Sequence, residues 1–246
     1  MRPNIVLIIL LIILTAGMVN AEEEQKNLSG SGEVGLLMTS GNSETDSVNA
    51  KVNLKYEKEH FLGEVNLAAL YNSEETETDG KKEDKVSAEK YNYSAKIGYK
   101  FNPANYVFLN GDYEDDRFSG YDYKTTYSLG YGRKLIATDK VKLDVEIGPG
   151  YRYDKPEGKK AENEAVLRGY VMFNYKFSDA VSFQQDVTVV TGSSNTNTKS
   201  VSALKAQIIG ALSMKASYKI NHNTDVPDDD TEKTDTETAL TLVYDF

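Results

Sequence analysis

The chain has 246 residues, with 28 Lys and Arg against 38 Asp and Glu, a formal net charge of −10, no Cys, no Trp and 17 Tyr. Without Cys there is no disulfide framework and no thiolate metal site, and the acidic balance argues against nucleic acid, whose phosphates need a basic surface. A hydrophobic content of 39% is too low for a helical membrane protein but leaves open a β-barrel, whose strands are apolar on one face only.

Taken in chain order, the first segment reads as an address. Arg2 precedes an apolar run over residues 5–14, and Val19-Asn20-Ala21 precedes the acidic Glu22-Glu23-Glu24. This is the layout of a secretory signal peptide, residues 1–21, cleaved after Ala21. The run falls short of the ~20 residues a spanning helix requires. Residues 22–31 then read as a short periplasmic segment, and residues 32–246 as the folded domain.

Period-two alternation runs through that domain. Val48, Ala50, Val52, Leu54 and Tyr56 alternate with Asn49, Lys51, Asn53, Lys55 and Glu57, the signature of a strand with one apolar face. Alternation and turn signals predict about twelve strands, over residues 32–41, 46–58, 60–73, 85–101, 105–115, 121–135, 140–153, 164–177, 181–191, 199–209, 212–222 and 235–246. Near residue 105 the parity is ambiguous, because Tyr106 and Phe108 compete with Val107, Leu109 and Tyr113 for the apolar face.

Short connections, as at Lys58-Glu59, Asn102-Pro103-Ala104 and Gly210-Ala211, alternate with longer polar ones around residues 73–84, 154–163, 192–199 and 223–234. An outer-membrane barrel has this asymmetry of short periplasmic turns and long extracellular loops. Aromatic residues on the apolar parity collect toward both strand ends. Tyr56, Phe61, Tyr99, Phe101, Phe177 and Phe183 lie at the short-turn end, and Tyr71, Tyr91, Tyr121, Tyr123, Tyr151 and Tyr153 at the loop end. These are the expected interfacial girdles. The predicted fold is therefore all-β, a transmembrane antiparallel up-and-down barrel in a bacterial outer membrane. Its partners would be membrane lipids and lipopolysaccharide. At the C-terminus Leu240, Leu242, Tyr244 and Phe246 alternate up to a terminal Phe, a strand that resembles the signal read by the bacterial barrel-assembly machinery.

The runs GLLMTSGNSET (35–45), ANYVFLNGDYEDDRFSGYDYKTTYSLGYGRKL (104–135), GPGYRYDK (148–155) and DTETALTLVYDF (235–246) resemble the YdiY-like, so-called salt-induced outer-membrane protein family. The resemblance covers essentially the whole mature chain. It implies a β-barrel in a Gram-negative outer membrane and brings no catalytic or ligand residues with it.

If the apolar parity faces lipid, the other parity lines the lumen. Lys124, Lys134, Asp144, Glu146 and Arg168 then face inward, with Asp144 and Glu146 beside the three cations. Two readings follow: a polar channel, narrow or closed, for inorganic ions or small solutes with a tuned field, or a salt-bridged plug that fills a narrow barrel and conducts nothing, in an envelope-structural protein with acidic extracellular loops. In the loops, Asp228, Asp229 and Asp230 present carboxylates suited to Ca²⁺ or Mg²⁺, without the glycine and terminal glutamate of an EF-hand. A solvated loop tip is the other reading. The acids Asp112, Glu114, Asp115 and Asp116 beside Arg117 read either as a cation- or sugar-binding mouth or as a folded loop held by the arginine.

No Walker-type loop, HExxH or CxxC is present, so no cofactor and no metal is expected. The competing class is a lipid-acting hydrolase. His222 shares parity with Tyr218 and Ile220, and antiparallel pairing would bring Ser200 or Ser202 near it. No orienting Asp or Asn of the right parity completes such a site.

Overall fold

The computed structural model describes residues 27–39, 45–78, 81–226 and 232–246. They form twelve strands: β1 (Leu28–Thr39), β2 (Thr45–Glu57), β3 (Phe61–Thr78), β4 (Lys81–Lys100), β5 (Asn105–Asp116), β6 (Tyr121–Ala137), β7 (Val141–Pro156), β8 (Glu162–Lys176), β9 (Val181–Thr191), β10 (Thr196–Ile209), β11 (Leu212–Asn223) and β12 (Thr234–Asp245). Each strand pairs antiparallel with its neighbour in sequence, and β1 pairs with β12 to close the barrel. Closure removes the exposed edges that a membrane does not tolerate.

The side chains are distributed inside-out relative to a soluble protein. Ile97, Leu129 and Leu240 are 63%, 61% and 64% exposed, while Glu146 and Arg168 are 4% and 5% exposed. Aromatic rows mark both rims. Phe61, Tyr99 and Phe101 pack edge-to-face at 5.7 and 5.8 Å at the short-turn rim. Tyr93, Tyr113, Tyr123 and Tyr153 follow one another at 6.0 Å spacing at the loop rim. Tyr121 departs from the expected girdle. The ladder shifts register between Tyr121 and Tyr123, and Lys124 Nζ lies 4.9 Å from the centroid of the Tyr121 ring.

The strand ends differ most from the alternation reading in two places. β1 begins at Leu28, four residues before the expected boundary, through Gly30, Ser31 and Gly32, which carry no apolar signal yet pair with β2 and β12. Gly30 exchanges backbone hydrogen bonds with Phe246 at 2.8 and 2.9 Å. A Cβ at Gly30 would stand 2.6 Å from the Phe246 ring, so glycine makes room for the terminal aromatic. The connection expected over residues 73–84 is largely ladder, since β3 and β4 stay paired out to Thr78 and Lys81. Polar and charged residues alternate there without an apolar face, so the pairing leaves no hydrophobic period to read. At the opposite rim, Gly210 takes φ 55° in the tight turn from β10 to β11, a conformation open to glycine at little cost.

Candidate functional site

The interior is decided by β5. Tyr106, Phe108, Asn110 and Glu114 are buried at 5%, 1%, 4% and 5% exposure, while Val107, Leu109 and Tyr113 on the other parity are exposed. The two large rings therefore point into the lumen, resolving the parity that the sequence left open. Their seats are glycines on neighbouring strands. Gly98 and Gly130 stand opposite Phe108, and Gly132 opposite Tyr106. A Cβ at Gly130 would lie 2.6 Å from Phe108 Cζ, and one at Gly132 would run into the Tyr106 ring. Leu62 completes the cluster with the two rings.

A buried ion network closes around these rings. Glu146 accepts hydrogen bonds from Lys96 Nζ at 2.6 Å, Arg168 Nη1 at 2.8 Å and Tyr106 Oη at 2.9 Å. The same two cations lie 5.7 and 5.6 Å from the Phe108 centroid, and each lies 5.3 Å from that of Tyr170, within cation–π range. Tyr170 in turn donates to Asp186 at 2.7 Å. Four strands, β4, β5, β7 and β8, meet at this one carboxylate.

Two further carboxylates repeat the pattern nearer the rims. Toward the loops, Glu114 lies 2.9 Å from both Lys124 and Lys199 and 3.5 Å from Lys90, which also binds Asp116 at 2.6 Å. Toward the short turns, Glu57 lies 2.7 Å from Lys134, 3.1 Å from Lys100 and 3.6 Å from Lys55. Lys199 to Glu114 joins β10 to β5, so these contacts reach across the lumen as well as along the wall. Removing one member of a buried pair leaves an uncompensated charge, which costs roughly 3–5 kcal/mol.

On the loop side of the Phe108 cluster lies a cavity of about 340 Å³, lined among others by Lys51, Asn66, Glu114, Arg168, Lys215 and Lys219. Arg168 forms part of its wall while its Nε has no hydrogen-bond partner. A second hollow of about 270 Å³ at the loop rim is organised by Glu164. That carboxylate binds Arg152 and accepts from the Ser193 and Ser194 backbone N–H groups at 2.6 and 3.0 Å, which latches the β9–β10 connection onto β8.

Of the lumen charges read from sequence, Glu146 and Arg168 do meet. Lys124 and Lys134 do not join them, since they serve Glu114 and Glu57. Asp144 stands opposite Lys134 in the ladder, but the lysine reaches past it to Glu57. Arg117 binds Glu89 at 3.2 Å and Phe118 N–H donates to Asp116 at 3.1 Å, the arrangement of a folded loop, while Asp112 stands on β5 and accepts from Asn110 at 2.5 Å. Asp228, Asp229 and Asp230 lie outside the described residues, among which no group of three His, Cys, Asp or Glu residues is placed to hold a metal ion. Leu240, Leu242 and Tyr244 form an exposed outer row. His222 Nδ1 is 2.8 Å from Thr234 Oγ1, while Ser200 and Ser202 are hydrogen-bonded to Gln185. His222 stands opposite Thr198 in the ladder, and neither serine forms the nucleophile–base pair that hydrolysis would need.

A closed twelve-stranded barrel, apolar outside and ionic within, defines a transmembrane β-barrel of the outer-membrane type. The chain belongs to the family described as "Protein of unknown function, DUF481", whose model matches residues 32–246. It is 27% identical over 221 residues to the "Uncharacterized protein YdiY" of Escherichia coli (strain K12), covering 89% of this chain and 84% of that one. In fold it resembles an outer-membrane channel from Pseudomonas putida F1, with a TM-score of 0.52 and 11% identity over 89% of this chain and 95% of the other. It also resembles the NanC porin, with a TM-score of 0.52 and 9% identity over 88% and 98%.

Proposed function

We propose that the protein is a narrow outer-membrane channel whose lumen is open toward the loops and held shut, at rest, by the Phe108–Glu146 constriction. One observation carries this reading. Side chains lining a water-filled pore are wetted, whereas the inward-facing Phe108, Tyr106, Glu146 and Arg168 are each 5% exposed or less. A barrel of twelve strands lies between eight-stranded barrels filled by side chains and sixteen-stranded open porins, so a few large residues suffice to block it.

In this reading the short turns face the periplasm and the longer connections the exterior, as barrel asymmetry dictates. The exposed apolar band meets membrane lipid and lipopolysaccharide. Residues 1–21 serve as the export signal, and Leu240, Leu242, Tyr244 and Phe246 serve the barrel-assembly machinery during insertion. The cargo would be inorganic ions or small solutes that pass when the constriction yields. Liposome swelling with small sugars tests this. Wild-type protein should admit arabinose slowly, and Phe108→Ala should accelerate entry. Rapid entry through the wild type, unchanged in the variant, would overturn the proposal.

A further inference from the structure

Most charges around the loop-side cavity are paired with one another, but one cation and one anion are not. Lys51 on β2 and Asp112 on β5 both line the 340 Å³ cavity. Among the described residues neither forms a salt bridge. Glu33, the ladder neighbour of Lys51, is taken up by Lys215 and Asn53. The ladder neighbours of Asp112 are the uncharged Ser94 and Thr126, and its one donor is the amide of Asn110. Lys90 and Lys124 are held instead by Glu114. Both Lys51 and Asp112 are half-buried.

The register sets these two charges at the ends of one stretch of wall. Lys51 pairs with Ala68 and Ala68 with Asn92, along one level of β2, β3 and β4. Asn66 pairs with Ser94 and Ser94 with Asp112, along the next level of β3, β4 and β5. All six residues line the cavity. Between the cation and the anion the wall therefore carries only small or amide side chains. Asn66 donates to Ser94 Oγ at 3.1 Å, which leaves its side-chain oxygen as an acceptor. Lys51 and Asp112 stand three inter-strand steps apart, roughly 14 Å along the wall, and the flexible four-carbon stem of the lysine spans part of that. A solute with a single charge would match one end of this wall and leave the other unmatched. A small molecule whose two opposite charges are a few carbons apart matches both.

We infer that the cavity binds a small zwitterion of the amino-acid kind, its carboxylate at Lys51 and its ammonium at Asp112, with the span between Asn66 and Asn92 beneath it. This rests on the reading of the lumen as open toward the loops, and not on whether the constriction yields. The test exploits a chain without Cys. Ala68→Cys puts a thiol midway between the two charges, and its rate of modification by a small water-soluble methanethiosulfonate reports both access and occupancy. Refolded full-length protein in a neutral detergent is used, with heat-modifiable gel migration to confirm folding, and Ser94→Cys is a second reporter in the same wall. 4-Aminobutanoate should slow the modification saturably. Butanoate and butylammonium, each with one of its two charges, should need at least tenfold higher concentrations. Lys51→Gln or Asp112→Asn, added to the reporter, should each weaken protection about tenfold, the scale of one hydrogen bond to a charged group, whereas Lys142→Gln near the opposite rim should leave it unchanged. A rate indifferent to 4-aminobutanoate, or slowed equally by either single-charge compound, would overturn the inference and leave the channel reading standing. A thiol that the reagent reaches at neither position would overturn both.

Discussion

Replacing Glu146 by Ala is the sharpest probe of the interior. The carboxylate receives three hydrogen bonds, at 2.6, 2.8 and 2.9 Å, two of them from cations. Its side chain is 1% exposed, and those of Lys96 and Arg168 are 10% and 6% exposed. Truncation leaves both cations buried, and among the described residues the remaining carboxylate in salt-bridge contact with either is Glu64, 3.5 Å from Lys96. The expected loss is roughly 3–5 kcal/mol, the scale for breaking a buried ion pair from one side. Glu146→Gln should cost less, because its amide oxygen still accepts from one donor. The control is Asp245→Asn at the Lys205 pair, whose side chains are 32% and 45% exposed. That change should stay within about 1 kcal/mol, as solvated pairs do. The assay is urea unfolding in liposomes, with the folded fraction read from heat-modifiable gel migration. A Glu146→Ala loss as small as that of Asp245→Asn would refute the view that this network braces the barrel.

Other outcomes follow from the same geometry. Gly132→Leu should destabilise or block folding, because its side chain would occupy the seat of the Tyr106 ring, whereas Gly169→Ala, with nothing within 4 Å of the added Cβ, should migrate as wild type on the gel. Leu129→Lys places a charge on the 61%-exposed outer face and should cost about 2–4 kcal/mol near the bilayer centre, while Thr188→Lys, in the cavity wall, should be tolerated far better in the same urea titration. Wild-type and His222→Ala proteins should hydrolyse an ester substrate in micelles no faster than a protein-free blank. Activity lost with His222 would revive the hydrolase reading.

The fold was legible because lipid imposes the plainest pattern a strand can carry. Val48 through Tyr56 alternate with polar partners, and the structure puts those positions on one continuous ladder. β1 was harder to delimit, since Gly30 and Gly32 contribute pairing but no hydrophobic period. The ladder of β3 and β4 beyond Ser73 was hidden for a related reason: backbone pairing there proceeds without an apolar face. Inside the barrel, the sequence shows which charges face inward but not how far each long side chain reaches. Lys134 passes its ladder neighbour Asp144 to bind Glu57, and Lys199 reaches Glu114 from β10. The constriction was illegible from β5 alone, because both of its parities are apolar at Tyr106–Leu109. The clue lay on the neighbouring strands, where Gly98, Gly130 and Gly132 stand as vacant seats for large inward rings.

Single-channel recording of refolded wild-type protein beside Phe108→Ala in planar bilayers tests the closed lumen most directly. The wild type should be silent or open only in brief small steps, and removing a ring that is 1% exposed should give sustained, larger steps from a barrel that still folds. Large steady openings in the wild type, unchanged by the substitution, would contradict a lumen shut at Phe108 and Glu146.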